Sequence, residues 1–465
     1  TSRCPTWWGL TALDWHYESQ CIPTPLAWYV HQFPQWFQKL SVVAVYVIEC
    51  ACPFLFFAPL RNLRLFSWFS QILLQVLIIA TGNYNFFNLL TITLCISLLD
   101  DQFLGRETPA DSGDSFLSGL GRILSRVVSL SVYMSLIMAT IHFFNLRINA
   151  DSYSIDSKVG FSEEDFFSAL RDIMPYTIWM GKISLGTELI LALWRCLSEG
   201  RGLLAKVWSF GQCLLFASVA VYMFTISLVP HCAIDQTATA NLSPEVRKLH
   251  HSSQHLNLVH SYGLFRRMTG VGGRPEVIIE GSNDLQKGWK SYEFLYKPGN
   301  VSLPPSFLSP HQPRLDWQMW FASLGTYEHN PWFINLAYRL LEGKQEVLDL
   351  MASNPFPNKP PKYIRANLYT YHYTSMESGS VNWWERKLKR EYMPPISKET
   401  KGLRQHLLQN GIIQEKQKKK PVKGEEQGAF LKACLIAARG FFGVLKGPTL
   451  IVSLFLPAMI VSVAS

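Results

Sequence analysis

The sequence predicts a multi-pass α-helical membrane bundle plus an α+β domain with an antiparallel sheet. Three observations lead there. Charged residues are 17% of the 465-residue chain, below the roughly 25% usual for soluble domains. The deficit is local: residues 40–100 and 203–230 are almost free of charge, whereas 231–428 have the composition of a soluble domain. Apolar runs of membrane-crossing length recur in the first half, and shorter alternating runs fill the second. The expected domains are 1–230, transmembrane; 231–396, α+β; 397–428, a basic Lys-, Gln- and Gly-rich linker; and 429–465, a C-terminal apolar segment forming either a last membrane helix, the favoured reading, or an interfacial one. The start at Thr1, with no signal peptide, reads as internal to a longer protein.

A spanning helix needs about 20 mostly apolar residues. The candidates are 41–58, 65–81, 84–99, 123–143, 176–195 and 205–229. The run 176–195 is interrupted by Lys182 and Glu188, which a buried, paired position inside the bundle would accommodate. Loop charge sets the orientation. Arg61 and Arg64, Arg106 and Arg122, and Arg195, Arg201 and Lys206 mark three cytoplasmic loops, while 144–175 is acidic. Alternation then places 1–40, 144–175 and everything from 230 onward on the opposite, lumenal side. The sequon Asn300-Val301-Ser302 agrees with that side, and Asn241-Leu242-Ser243 is a second, weakened by Pro244. In the final segment the apolar run is long enough to span once Phe441–Leu445 is included and Lys446 snorkels.

Within the polar half, Tyr292, Phe294 and Tyr296 alternate with polar residues, as in a half-buried strand. Val277–Ile279 is a shorter run followed by turn residues from Gly281 to Asp284. Tyr363, Arg365, Asn367, Tyr369, Tyr371 and Tyr373 share one face of a longer strand. Asn330-Pro331 starts a helix on which Phe333, Leu336, Ala337, Leu340 and Leu341 recur at helical spacing.

Several stretches are long and specific: Pro5–Leu13, His16–Cys21, Thr81–Asn88, Ser261–Thr269, Glu280–Ser282, Lys297–Gly299, Pro310–Ala322, Asn330–Phe333, Tyr363–Ala366 and Trp383-Trp384. In these the chain resembles the lipase maturation factor family, nearer its second branch, over nearly everything from residue 5 to about 395. The resemblance implies a multi-pass endoplasmic reticulum membrane protein. The best-understood branch is needed for dimeric secreted lipases to fold, assemble and leave that compartment. It implies a non-enzymatic role in maturing secretory proteins, with lipases as candidate clients and lumenal folding factors and the bilayer as further partners. The family also resembles, more distantly, the membrane domain of vitamin K-dependent carboxylases. The alternative is therefore a membrane enzyme modifying lumenal proteins or lipids.

His311, Arg314, Asp316, Trp317 and Trp320 form the densest cluster of candidate residues. On a helix over 314–325, Trp317, Trp320, Phe321 and Leu324 share a face. The expectation is that Trp317 and Trp320 pack on the Tyr292/Phe294/Tyr296 strand, with Arg314 paired to Glu280 or Asp316. The competing reading is a client-binding surface of aromatic and arginine residues. Asn83, Asn85 and Asn88 make either a polar pocket at the membrane face or helix-to-helix hydrogen bonds beside a tight turn at Gly82. Of the nine cysteines, Cys4 and Cys21 are the candidate disulfide. No CxxC pair is present, which argues against a thioredoxin-like redox site. His250, His251, His255 and His260 include one i,i+4 pair but no HExxH pattern, and read as a solvated helix rather than a zinc site. No nucleophile elbow, Gly-rich phosphate loop or paired-carboxylate pattern is present, so neither cofactor nor metal is expected. The net charge of +9 sits largely in Arg386–Arg390 and Lys416–Lys423, read as a solvated tail rather than a nucleic-acid site.

Overall fold

The computed structural model describes residues 4–103, 105, 116–198, 202–260, 268–308, 311–411, 413, 433–440, 453 and 457. Among the described residues, four helices are long and apolar enough to cross a membrane: Gln35–Phe57, Arg61–Thr81, Gly121–Phe143 and Lys206–Cys232. The expected span 84–99 is corrected. Its helix, Phe87–Leu98, is only about 18 Å long, short of a roughly 30 Å hydrocarbon core. The run 176–195 lies inside a 36-residue helix, Glu163–Ser198. Lys182 and Glu188 are exposed there rather than buried and paired, and Lys182 Nζ sits 4.8 Å from the Trp179 ring centre. Most of 429–465, and with it the expected final membrane helix, lies outside the described residues, as do residues 261–267 of the Ser261–Thr269 stretch and Lys416–Lys423.

The chain divides into two compact units. The first comprises 1–8, 143–145 and 158–267. Its long helix starts with reciprocal capping: Asp165 N donates to Ser162 Oγ (3.1 Å), and Ser162 N donates to Asp165 Oδ2 (3.0 Å). Leu203–Cys232 packs on it, with Thr177 Oγ1 3.0 Å from His231 Nε2. Two short helices follow, Gln236–Ala240 and Pro244–Ser253, each begun by a side-chain cap from Asp235 or Ser243.

The second unit comprises 9–142, 146–157 and 268–465. A small hairpin pairs β1 (Arg147–Asn149) with β2 (Ser154–Asp156). The sheet strands are β3 (Arg274–Ser282), β4 (Lys290–Ser291), β5 (Glu293–Phe294), β6 (Met351–Ser353), β7 (Tyr363–Tyr373) and β8 (Trp384–Ile396). The main sheet is antiparallel in the order β4-β3-β7-β8, and β5 pairs with β6. Side chains alternate faces along a strand, so the sheet has two different sides. One side carries Val277, Ile279, Ile364, Ala366 and Leu368. It packs against Met319 and Ala322 of the Arg314–Ser323 helix and against Phe333, Leu336, Ala337 and Leu340 of the Pro331–Glu342 helix. That second helix stops at Gly343, whose φ of +67° suits a glycine C-cap. The other side carries Ile278, Tyr371, Tyr373 and Trp384, and covers Tyr17 and Ala27 from the start of the chain.

Arg386–Arg390 is not a tail. It forms part of the exposed edge strand β8. Charged side chains on an open edge discourage pairing with other chains, which accounts for the basic run.

Candidate functional site

The helix Ala12–Ser19 ends at Gln20, where the chain turns into extended backbone. The last carbonyls of a helix have no partner within it. Here the carbonyls of Glu18 and Ser19, and those of Gln20 and Cys21 just beyond, find donors on distant elements. Arg274 Nη1 donates to Glu18 O (3.2 Å) and to Gln20 O, and Arg274 Nη2 donates to Cys21 O (2.9 Å). Trp320 Nε1 donates to Ser19 O (2.9 Å). A cation at a helix C-terminus also meets the negative end of the helix dipole.

Arg274 is fully buried, and a buried charge is tolerable only when paired and hydrogen-bonded. Strand periodicity places Glu276 on the same face of β3, with Arg274 Nε 2.7 Å from Glu276 Oε1. Lys297 Nζ lies 2.9 Å from Glu276 Oε2 and donates to Pro298 O (2.8 Å). The Asp316 carboxylate accepts from the Tyr296 and Lys297 backbone N–H groups, both at 2.9 Å. Burial raises the Asp316 carboxyl above its usual range, against those donors and the nearby lysine.

Glu18 is buried as well. Its carboxylate accepts from Tyr373 N (3.1 Å) and lies 3.3 Å from His372 Nδ1. Burial raises its carboxyl, while these partners pull it down. The junction also reaches the span Arg61–Thr81. Gln20 Nε2 donates to Thr81 O and Thr24 Oγ1 donates to Ala80 O, both at 2.6 Å. Gly82 lies close to Gln20, and an added Cβ there would push the Gln20 amide aside. Asn83 Nδ2 donates to His311 O at 2.8 Å, fastening the residue after the span to the start of the Arg314 helix region.

The candidate residues of the sequence therefore separate. Asp316, Trp317 and Trp320 are buried in the junction, and His311 joins through its carbonyl. Of the expected Tyr292/Phe294/Tyr296 set, only Tyr296 packs against the cluster of the two tryptophans, which they form with Cys21, Ile22 and Leu308; Tyr292 and Phe294 meet Met319 and Ala322 instead. The Arg314–Ser323 helix is buried on two sides, so one apolar stripe could not describe it. Phe321 and Leu324 are 46% and 41% exposed, outside the core face expected for them. Arg314 is exposed and pairs with neither expected partner: Arg365 Nε (2.8 Å) and Asn367 Nδ2 (3.0 Å) engage Glu280, and Asp316 is taken by backbone.

The three asparagines act separately. Asn83 Oδ1 accepts from Asn85 N (2.8 Å), Asn85 adopts φ +61° in the turn, and Asn88 Nδ2 donates to Gln75 Oε1 (2.8 Å) on the preceding span. They do not line one pocket. Asn300 is exposed, with its Oδ1 accepting from Ser302 N (3.0 Å). The proposed Cys4–Cys21 bridge is corrected: both are buried thiols. Cys4 Sγ lies 3.1 Å from Thr6 Oγ1, and Cys21 is packed among the tryptophans, where burial pushes its thiol up to about 12. Among the described residues no group of three or more His, Cys, Asp or Glu could hold a metal ion. The sequence reading missed Arg274, Glu276, Lys297 and Glu18 as site residues. The available signal was charge at alternate positions of a strand that also carries Val277–Ile279.

Fold and junction define a class: a multi-pass membrane protein whose α+β domain is fastened to its early helices and to the end of a span. Two family models match the chain, the "Lipase maturation factor transmembrane domain" over residues 1–106 and the "Lipase maturation factor C-terminal domain" over 258–394. The chain is 47% identical over 463 residues to "Lipase maturation factor 2" of Xenopus tropicalis, covering 97% of this chain and 64% of that protein. It is 45% identical over 459 residues to "Lipase maturation factor 2" of Homo sapiens, with 97% and 64% covered. To "Lipase maturation factor 1" of Homo sapiens it is 31% identical over 406 residues, with 85% and 57% covered. The chain thus spans less than two thirds of the length of these relatives. No solved structure matches. The chain belongs to the lipase maturation factor family.

Proposed function

We propose that this protein is an endoplasmic reticulum membrane factor that assists folding, assembly and export of secretory proteins, lipases among the candidate clients. The observation that carries this reading is the similarity to relatives named for lipase maturation, across both the transmembrane and the C-terminal domain models. The family name speaks for a non-enzymatic role. The geometry supports assigning most of the Pro310–Ala322 signature to architecture, because Asp316, Trp317 and Trp320 are buried and out of a client's reach. Arg314, Phe321 and Leu324 are the exposed residues near it that could meet a client. Deleting the gene in a secretory cell line and comparing the secretome tests the function. Selective loss of a set of secreted proteins, lipases among them, is expected; an unchanged secretome contradicts it.

The same reading places residues 231–428 in the lumen, with Asn300 glycosylated on its exposed turn. Endoglycosidase should lower the mass of the wild type, and Asn300→Gln or Ser302→Ala should abolish the shift. A protease-accessible Asn300 turn in sealed microsomes would overturn the topology.

One observation favours the enzyme alternative. Lys182, on a helix of the membrane half, lines a cleft together with Cys232 and Asp235. An acid–base lysine cannot be replaced by arginine, which stays protonated. Normal abundance with lost secretion in Lys182→Arg would support the enzyme; normal secretion would remove it.

A further inference from the structure

The cleft lies wholly within the first unit, between the Glu163–Ser198 helix, the Cys232 end of the Leu203–Cys232 helix and the two short helices that follow. Its volume is about 440 Å³, within the range of small-ligand sites. Arg171 and Lys182 both line it. Eleven residues make just over three helical turns, so the two cations share a helix face, their backbone positions about 16 Å apart along it. Asp235 is the one acidic residue lining the cleft, and its carboxylate is spent on capping, accepting from Ala238 N at 2.7 Å. Both cations are exposed, and neither forms an ion pair among the described residues.

The wall between the cations is apolar. Met174, Ile178 and Leu228 line it, and Trp179 lies under the Lys182 ammonium at 4.8 Å. Leu228 belongs to the last turns of a membrane-crossing helix, and Thr237 and Ser243 follow it on the polar side. The cleft therefore joins hydrocarbon depth to the headgroup level. Tryptophan is at home in that zone, and lysine reaches toward it.

We propose that this cleft is a binding site for an anionic glycerophospholipid, with its headgroup phosphate at the Arg171 end and an acyl chain along Met174, Ile178 and Leu228 toward Lys182, whose charge adds to the positive field of the cleft. Two cations against one occupied carboxylate call for an anionic ligand, and the apolar wall continuous with a span calls for one that carries a chain. A free phosphate would satisfy the first requirement alone. The site is separate from the proposed maturation role, and its test does not depend on secretion.

The test uses the full chain purified in neutral detergent and exchanged into nanodiscs of phosphatidylcholine with or without phosphatidylglycerol. Phospholipid retained after re-extraction and washing is identified by native mass spectrometry. The wild type should retain phosphatidylglycerol over phosphatidylcholine. Arg171→Ala with Lys182→Ala should weaken retention on the order of tenfold. The charge-preserving pair Arg171→Lys and Lys182→Arg should keep it, which separates loss of charge from loss of fold. Leu228→Trp, which fills the apolar wall and leaves both cations, should also weaken retention. Equal retention in the double alanine variant overturns the proposal. So does displacement of the lipid by inorganic phosphate at equal concentration, or equal retention of the two lipids by the wild type.

Discussion

On the helix side of the sheet, Val277, Ile279, Ile364, Ala366 and Leu368 meet Phe333, Leu336, Ala337 and Leu340 in an apolar core. On the opposite side, the same strand β3 presents Arg274 to the carbonyls of Glu18, Gln20 and Cys21, with Glu276 accepting from Arg274. The two sides are separated by one residue of register, yet they are held by different forces. Apolar packing tolerates exchange among residues of similar volume. A buried ionic network depends on every partner, because removing one strands the others. The helix side gives the domain its core. The charged side fixes which segment lies against it, bringing the early helices and the end of a span to one place.

The largest effect separating the two sides is expected for Arg274→Met. It leaves three carbonyls short of a donor and takes one cation from Glu276. Breaking such a buried pair costs about 3–5 kcal/mol, against roughly 5–15 kcal/mol for a whole domain. Steady-state abundance should collapse. Ile279→Val, on the helix side of the same strand, should cost only about 0.5–1.5 kcal/mol and leave abundance near normal. Similar abundance for the two would erase the distinction. Trp320→Ala should fall with Arg274→Met, at about 3–5 kcal/mol, because the indole also donates to Ser19 O. Asn83→Ala comes next. It leaves His311 O without its donor, a loss of about 1–3 kcal/mol, seen as a lower thermal midpoint with intact expression. Arg314→Ala is the smallest, within about 0.5 kcal/mol for an exposed residue. Should Arg314 serve clients, the variant will accumulate normally and fail to support secretion. A fall in abundance matching Trp320→Ala would make Arg314 structural.

Acid should sharpen the same contrast. Burial pushes the His16 and His31 imidazoles down to about 4, the neighbouring His372 adding to the effect at His31. The unfolded chain binds these protons near pH 6.5, so their stabilising contribution is full above about 6.5 and is lost as pH falls toward 4. Glu18 works in the opposite sense, since its raised carboxyl favours the folded state as it takes up a proton. The two histidines, each pushed down to about 4, predict a net loss on the junction side, which the raised Glu18 and Asp316 carboxyls reduce. Thermal unfolding from pH 7 to pH 4.5 should show a falling midpoint, with a shallower fall in His31→Gln. A midpoint that rises over that window contradicts the assignment.

Local chemistry explains what could be read from the sequence. The Asn330-Pro331 start and the spacing from Phe333 to Leu341 describe the Pro331–Glu342 helix, with caps and core face close in sequence. The odd-numbered face from Tyr363 to Tyr373 follows from strand periodicity alone. Spans were harder, because apolar composition does not report helix length: after Cys95 the 87–98 segment tightens into a short 3₁₀ turn and ends. The junction was the least legible part. Arg274 meets its carbonyl partners across 253–256 residues, and no local pattern announces such a contact. Glu18 and Lys297 stand in recognisable stretches, yet only the fold shows that their charges are buried. Trp317 and Trp320 read as core residues and are, but they belong to the charged side of the architecture through Cys21 and Ile22.

Hydrogen–deuterium exchange on Arg274→Met tests the two-sided account most directly, at a temperature where the variant is still folded. Residues 12–24 and the 80–83 segment should lose protection together, while the Pro331–Glu342 helix keeps the exchange rate of the wild type. Equal loss of protection in both regions, or none in residues 12–24, would contradict it.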